Sequence, residues 1–366
     1  MRLVFSEAVV AELSQIALTT PAGGYRVAWR IVSADGHPVA GNFSFSLIAA
    51  ALDSALPLPI NPQAISGSSA SAPTAEIEER PTPRGVSLLR GLGLGAMMSG
   101  VGLLFFGSAA GSRRNLNPSS LVTRFLALGA LLLAGHMAAW LYHISPGKGL
   151  SETFGASALV STPGMVESAR VVLAALSFWA IAGGRRRLAL MLGVACLAVS
   201  GSIGHSAAIE PMFAIPAKIV HLIAAAVWLG GLLWLAWTFR RDVTAFRIEA
   251  RRVSFAALIA LVIVASSGIV QAFLFLDWPW DLFRTDYGTL VLAKIGGLLV
   301  LTLLGGYNRF RLVPHLDDSR NGRKLSRSVT QEIAIMTAII LIAGFLANVP
   351  VPAPSAARAI PASAAR

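Results

Sequence analysis

Long apolar stretches dominate this chain, and their spacing predicts a bundle of membrane helices. Eight stretches approach the length of about 20 residues that a helix needs to cross a bilayer. The third and fourth are separated only by Gly183, Gly184 and Arg185–Arg187, which predicts a tight helical hairpin. The eight predicted spans are 86–107, 121–143, 166–184, 188–206, 217–239, 253–276, 288–307 and 329–349.

The first 50 residues follow a different pattern, in which apolar and polar positions alternate as they do in β-strands. Alternation is strongest over 25–32, which lies between turn signals at 21–24 and 35–38. Shorter strand-like runs cover 3–5, 14–18 and 42–48. We therefore predict a small β domain ahead of the membrane helices.

The composition agrees with an integral membrane protein. Hydrophobic residues make up 55% of the chain and charged residues 13%, with a mean hydropathy of +0.67. A soluble domain carries about 25% charged residues. We predict a mainly α, integral membrane fold with a small N-terminal β segment. Its regions are a β domain over 1–50, a flexible linker over 51–85, an eight-helix membrane domain over 86–350 and a disordered periplasmic tail over 351–366.

The net charge of +12 reflects membrane topology. Lys and Arg concentrate in alternate connections, namely 113–114, 185–187, 240–252 and 309–327. Because basic loops stay in the cytoplasm, we predict a multi-pass protein of the bacterial inner membrane with both termini periplasmic. The basic runs lack the interleaved aromatic residues of a nucleic-acid surface. We expect membrane lipid as a partner and no nucleic acid.

Four of the six histidines fall near the outer ends of predicted spans. His136 and His143 are seven residues apart and share one face of the second helix. His205 ends the fourth span and His221 begins the fifth. Ionisable residues within spans are costly and tend to face the interior of a bundle. We predict that His136, His205 and His221 form a metal or cofactor site, with His143 either a ligand or a headgroup contact.

Two readings of this histidine site stay open. The imidazoles could bind a metal ion, or they could be axial ligands of a haem b, as in b-type cytochromes. The second reading makes the protein an electron-transfer component, with reductase activity. The chain has no Gly-x-Ser-x-Gly, phosphate-loop or His-Glu-x-x-His motif. We therefore favour transport or binding over catalysis, with reductase activity left open.

Two further polar residues lie inside predicted spans. Cys196 has no partner for a disulfide or for a cysteine-based metal motif, so a small apolar filler is the favoured interpretation. Lys294 either extends toward the outer surface or pairs with Glu167, Asp286 or a bound ligand.

The N-terminal segment resembles the C-terminal part of the periplasmic copper-binding CopC domain, a Greek-key sandwich. The resemblance is carried by Arg2-Leu3-Val4-Phe5-Ser6-Glu7 and by the strand, turn and strand over 25–41. In that family the Asp and His of an Asp-x-His turn bind Cu(II), which implies that Asp35 and His37 are copper ligands. The family's further histidine ligand precedes the Phe-Ser-Glu segment. Either this chain begins upstream of Met1, with an export signal and that histidine, or its soluble copper site lacks one ligand.

The membrane segment resembles the CopD family of inner-membrane copper-resistance proteins. The matching elements are Gly204-His205-Ser206, His221 with Trp228-Leu229-Gly230-Gly231, Lys294 with Asn308-Arg309, and the late helix near Glu332. The resemblance implies copper uptake or copper resistance, with copper ions as ligand; if the histidines hold haem instead, cupric reduction is the alternative activity. Periplasmic copper chaperones are further expected partners. The sulfur of Met137 would suit Cu(I). The direction of transport and the oligomeric state stay open.

Overall fold

The structure is a computed structural model, and it divides into two compact units, residues 1–80 and 81–366. The residues that the structure describes are 14–19, 25–32, 38–45, 76–79, 82–114, 118–144, 158–159, 161–276 and 278–352.

The first unit contains an antiparallel sheet in which each strand pairs with the next along the chain. Val27 and Ile31 are buried and Arg26 and Ala28 are exposed, as the predicted alternation requires, but Val32 at the end of the strand is also buried. The described strands form a meander, so the Greek-key connection expected of the sandwich is not among them. The strands are β1 (Gln15–Thr19), β2 (Tyr25–Val32), β3 (Pro38–Phe45) and β4 (Glu76–Glu79).

Strand β4 changes the predicted division of the chain. It lies within 51–85, the range predicted as a flexible linker, and it pairs with β3 through Gly41 opposite Ile77. The short sequence Glu76–Glu79 lacks a convincing strand pattern by itself, so its pairing depends on the exposed edge that β3 offers. The predicted run at 3–5 lies outside the described residues.

Among its described residues, the second unit contains eight long helices, and each overlaps one predicted span. Seven of them are long and apolar enough to cross a membrane. The eight are α1 (Arg84–Arg114), α2 (Ser119–Ile144), α3 (Thr162–Ala182), α4 (Arg186–Gly201), α5 (Pro211–Arg241), α6 (Val243–Phe275), α7 (Asp286–Tyr307) and α8 (Ser319–Leu346). A mainly α membrane fold with a small β segment is therefore confirmed.

Helix α4 is shorter than the predicted span 188–206. It has 16 residues, about 24 Å, whereas the hydrocarbon core of a bilayer is about 30 Å thick. The chain leaves the helix after Gly201, because Gly204 adopts a positive φ of 79° and starts a separate turn, His205–Ala208. At the other end Gly184, with φ of 75°, closes the α3–α4 hairpin that the sequence predicts.

Helix α4 still connects the two ends of the bundle. Arg186, at its start, lines a small cavity with Ser108 near the end of the α1 span. Beyond its end, Gly204 adjoins the side chain of Arg90 near the start of α1 and the backbone of Ala347 after α8. We call the end that contains Gly204 and Arg90 the histidine end, and the end that contains Arg186 the arginine end.

Glycines allow the central helices to touch backbone to backbone. A Cβ on Gly102 of α1 would lie 2.1 Å from the carbonyl oxygen of Ala226 on α5. A Cβ on Gly230 would lie 2.2 Å from the Cα of Gly102. Small residues at such crossings are typical of membrane bundles, where close van der Waals packing drives association. The Trp228–Gly231 element therefore has a packing role in addition to its family resemblance.

Candidate functional site

A buried ionic network joins α2 and α3 at the histidine end. His136, Glu167 and Arg170 are each at most 2% exposed. The guanidinium of Arg170 donates to the Glu167 carboxylate, and its Nη2 lies 2.9 Å from His136 Nδ1. His136 Nδ1 also lies 3.7 Å from Glu167 Oε2. Glu167 and Arg170 are one turn apart on α3, which places both side chains against the same face of α2.

This network sets the tautomer of His136. Arginine offers only donors, so His136 Nδ1 must accept the hydrogen bond from Arg170, and the proton of a neutral ring is then on Nε2. A metal ligand needs the lone pair on its coordinating nitrogen, and with Nδ1 engaged Nε2 has none to offer. Within the described part of the chain Nε2 is buried and has no hydrogen-bond partner. In this conformation, His136 therefore accepts a hydrogen bond from Arg170 and has no nitrogen lone pair left for a metal ion.

Other polar groups surround this network. The Cys196 thiol, fully buried on α4, donates to the Arg170 carbonyl at 3.5 Å. Lys218 of α5 donates to the Ile203 carbonyl at 2.5 Å and to Ser206 Oγ at 3.0 Å. These contacts fasten the loop after α4 to α5.

His221, on α5, has the opposite orientation to His136. Its Nδ1 lies 3.0 Å from Ser267 Oγ on α6, and the Ser267 hydroxyl lies 2.5 Å from the Ile263 carbonyl. The carbonyl can only accept, so the hydroxyl donates to Ile263 and accepts from His221 Nδ1–H. The lone pair of His221 is then on Nε2, the arrangement found in metal-binding histidines whose other nitrogen donates to a neighbour.

His205 is buried nearer the end of the bundle. Its ring packs edge-on against Phe275 of α6 and Tyr287 of α7, with centroid separations of 6.3 and 5.7 Å. Phe275 is eight residues beyond Ser267 on α6, a rise of about 12 Å. His205 and His221 therefore contact α6 at different residues, Phe275 and Ser267 respectively.

The predicted site residues thus occupy separate environments. Among the residues that the structure describes, no three His, Cys, Asp or Glu side chains come together as a metal site. Met137 accepts from the Ser168 hydroxyl at 4.0 Å. His143 is half-buried near the end of α2. Asp35 and His37 lie outside the described residues.

The sequence did not single out Ser267 or Arg170. Ser267 carries no chemical signal in an apolar span, and only its packing against α5 gives it a role. Glu167 and Arg170 do carry a signal in the sequence, because two opposite charges three residues apart inside a span predict a buried ion pair. The predicted pairing of Lys294 with Glu167 or Asp286 is wrong, since within the described residues no carboxylate lies within 4 Å of its amine.

Arg170→Met is expected to destabilise the bundle by about 3–5 kcal/mol, because it leaves the Glu167 carboxylate buried without its cation. Thermal unfolding of the detergent-purified protein measures the change. The double variant Glu167→Gln/Arg170→Met removes both charges and should recover most of the loss. Equal losses in the two variants would show that the ion pair does not set the stability.

These features define a multi-pass membrane protein with a small β segment, and comparisons with known proteins identify its domains. Residues 14–48 match the CopC domain, and residues 247–346 match the family described as copper resistance protein D. Both matches agree with the resemblances drawn from the sequence, although the match to copper resistance protein D begins after His136, His205 and His221.

Two curated relatives resemble longer parts of the chain. The copper transport protein CutJ of Bacillus subtilis (strain 168) is 28% identical over 91% of this chain and 62% of its own length. The inner membrane protein YebZ of Escherichia coli (strain K12) is 30% identical over 44% of this chain and 59% of its own length. The chain thus spans about three fifths of the relatives it matches. No solved structure matches it.

Proposed function

We propose that this protein transports copper across the bacterial inner membrane or confers copper resistance, by taking copper from the periplasm into the helix bundle. The observation that carries the proposal is the orientation of His221. Its Nδ1–H is held by Ser267, which leaves the Nε2 lone pair available within a membrane-spanning helix. The CopC and CopD matches and the name of the CutJ relative support copper as the substrate.

The proposed route has three steps. Copper is first captured by Asp35 and His37 of the CopC segment, then meets His205, and then passes to His221. Imidazole suits copper in both oxidation states, and carboxylate suits Cu(II). Met137 and His143 are further proposed contacts near the entrance. His136 is proposed as a positioning residue, because Arg170 occupies its Nδ1.

Lys294 would make the binding of copper at His221 weak and readily reversible. The amine is close enough to His221 to interact with it electrostatically, and no carboxylate pairs with it in the described residues. A nearby positive charge weakens the binding of a cation. Conduction requires a site that binds strongly enough for entry and weakly enough for release, and a single imidazole beside an ammonium fits that requirement.

The proposed orientation follows the distribution of basic residues. Arg240, Arg241 and Arg309 lie at the arginine end of the bundle, which the positive-inside rule assigns to the cytoplasm. The histidine end then faces the periplasm. With α4 counted as a crossing, both termini are periplasmic, which is the side where copper would reach the CopC segment.

Haem b binding is the second candidate function. The same Nδ1–H donation would orient His221 as an axial ligand. Arg90 and Arg170 are buried at the histidine end, Lys218 and Lys294 are partly buried there, and together these cations would supply positive charge for the two carboxylates of a haem. This observation favours the haem reading independently of the histidines.

Purification followed by metal analysis and an absorption spectrum distinguishes the two candidates. We expect a colourless protein that retains copper after gel filtration and loses it in the His221→Ala variant. A strong Soret band, with about one haem per chain and no retained copper, would contradict transport and support electron transfer.

A further inference from the structure

A buried carboxyl group lies at the arginine end, far from the histidines. Glu332 of α8 is 3% exposed, and Asn308, which follows α7, donates from Nδ2 to Glu332 Oε1 at 2.5 Å. Asn308 is 14 residues beyond Lys294, a distance of about 21 Å along α7. The pair is therefore separate from the proposed copper positions.

Glu332 has no cationic partner. Its hydrogen bond comes from a neutral amide, and within the described residues no Arg, Lys or His side chain lies within 4 Å of it. A carboxylate in an apolar bundle is costly without a counter-ion, and protonation is the usual way to remove that cost. The geometry of this site therefore suits a carboxyl group that binds a proton.

The charged groups on the surrounding elements are engaged elsewhere or are remote. Arg309 donates to the Ser254 carbonyl and hydroxyl on α6, both at 3.1 Å. Glu249 of α6 is buried as well, and it is bonded to Trp234 and Arg252. The remaining charged or titratable groups are exposed or partly exposed or lie at the histidine end, apart from Arg113 and Arg114, whose side chains are outside the described set. The exposed ones are Arg240 and Arg241 on α5, Arg311 and His315 after α7, and Arg320, Arg323, Lys324 and Arg327 on α8; Arg90, Lys218, Asp286 and Lys294 lie toward the histidine end.

Near Glu332, two side-chain oxygen atoms have no hydrogen-bond partner among the described residues. Asn308 Oδ1 and Ser328 Oγ are buried without a hydrogen bond in the described part of the protein. Ser328 is one turn before Glu332 and lies on the same face of α8. The amide of Asn308 can donate N–H to a carboxylate, or, after rotation, accept O–H from a carboxylic acid. The two amide orientations therefore match the two protonation states.

The local backbone is irregular at this position. Helix α7 continues into a π-helix, Asn308–Leu312, and a 3-10 turn, Val313–His315. π-helical segments are rare and frequently occur at functional sites. Gly305, one turn before Asn308, would place a Cβ 3.9 Å from Glu332 Oε2, so its lack of a side chain leaves space beside that oxygen.

We propose that Glu332, Asn308 and Ser328 form a proton-binding site at the arginine end of the bundle. A proton from water adds to the Glu332 carboxylate to give the carboxylic acid, and its release restores the carboxylate, with no electron transfer. Rotation of the Asn308 amide accompanies each change. If the proposed function holds, this proton moves in exchange with copper, and that coupling rests on the proposed function.

Infrared difference spectroscopy of the full-length protein in lipid tests the site without copper. A step from acidic to alkaline buffer should remove a carboxylic C=O band in the unmodified protein. Glu332→Gln should lack this band, and Asn308→Ala should shift it by removing its hydrogen bond. Glu249→Gln is the matched control, because Glu249 is also 3% exposed but is bonded to Trp234 and Arg252. A band that survives Glu332→Gln would overturn the proposal.

A transport assay then tests the coupling. In vesicles that contain a pH-sensitive dye, copper addition should change the internal pH with the unmodified protein and with Glu249→Gln, and not with Glu332→Gln. Loss of copper movement in every sample, with the infrared band intact, would count against the proposed function and leave the proton site supported. Copper-driven proton movement that persists in Glu332→Gln would overturn the coupling.

Discussion

Replacing His221 with alanine is expected to reduce cellular copper accumulation to the level of cells that lack the protein. The substitution removes the imidazole whose Nδ1–H is held by Ser267 and whose Nε2 lone pair is available for copper, and the proposed route passes through it. Elemental analysis of cells that produce equal amounts of each variant measures the effect.

Two companion variants make this result specific. Ser267→Ala removes the group that orients His221, and changes of this kind weaken metal binding by about 10–100-fold. His315→Ala removes an exposed histidine at the arginine end and should leave copper accumulation unchanged. Normal accumulation in His221→Ala, at normal protein levels, would remove His221 from the route.

Gly230→Leu is expected to prevent the central helices from packing. Its Cβ would lie 2.2 Å from the Cα of Gly102, and backbone atoms cannot move aside as a flexible side chain can. Overpacking of a core costs about 1–3 kcal/mol where side chains can adjust, so the loss here should exceed that range. Gel filtration and thermal unfolding of the purified protein measure the effect.

Gly296→Leu is the matched control for this substitution. Gly296 also lies in a membrane helix, α7, but a Cβ there would have nothing within 4 Å. The variant should purify and unfold like the unmodified protein. Equal damage from Gly296→Leu would mean that leucine disturbs these helices generally, and that the contact between α1 and α5 is not the reason.

The helices could be predicted because a membrane span needs a long apolar segment, and such segments are visible in the sequence alone. The end of α4 was harder, because apolar residues continue after Gly201 while the backbone turns at Gly204. The π-helix after α7 was also missed, since the sequence 308–312 has no feature that separates it from an α-helix. β4 depends on pairing with β3, which a local pattern cannot reveal.

The residues of the candidate site were likewise predictable from the sequence only in part. Histidines inside spans were visible, because an ionisable residue is conspicuous among apolar ones. Their different roles were not, because the direction of each hydrogen bond depends on a neighbouring helix. Arg170 accounts for the tautomer of His136, and Ser267, 46 residues along the chain, orients His221. The convergence of His136, His205 and His221 on one ion stays a prediction without support from these positions.

Copper flux into sealed vesicles that contain the purified, full-length protein tests the central claim most directly. We predict that external copper enters vesicles with the unmodified protein, enters normally with His315→Ala, and does not enter with His221→Ala. Copper entry that is equal for His221→Ala and the unmodified protein, or absent with both, would contradict the claim that this bundle moves copper through His221.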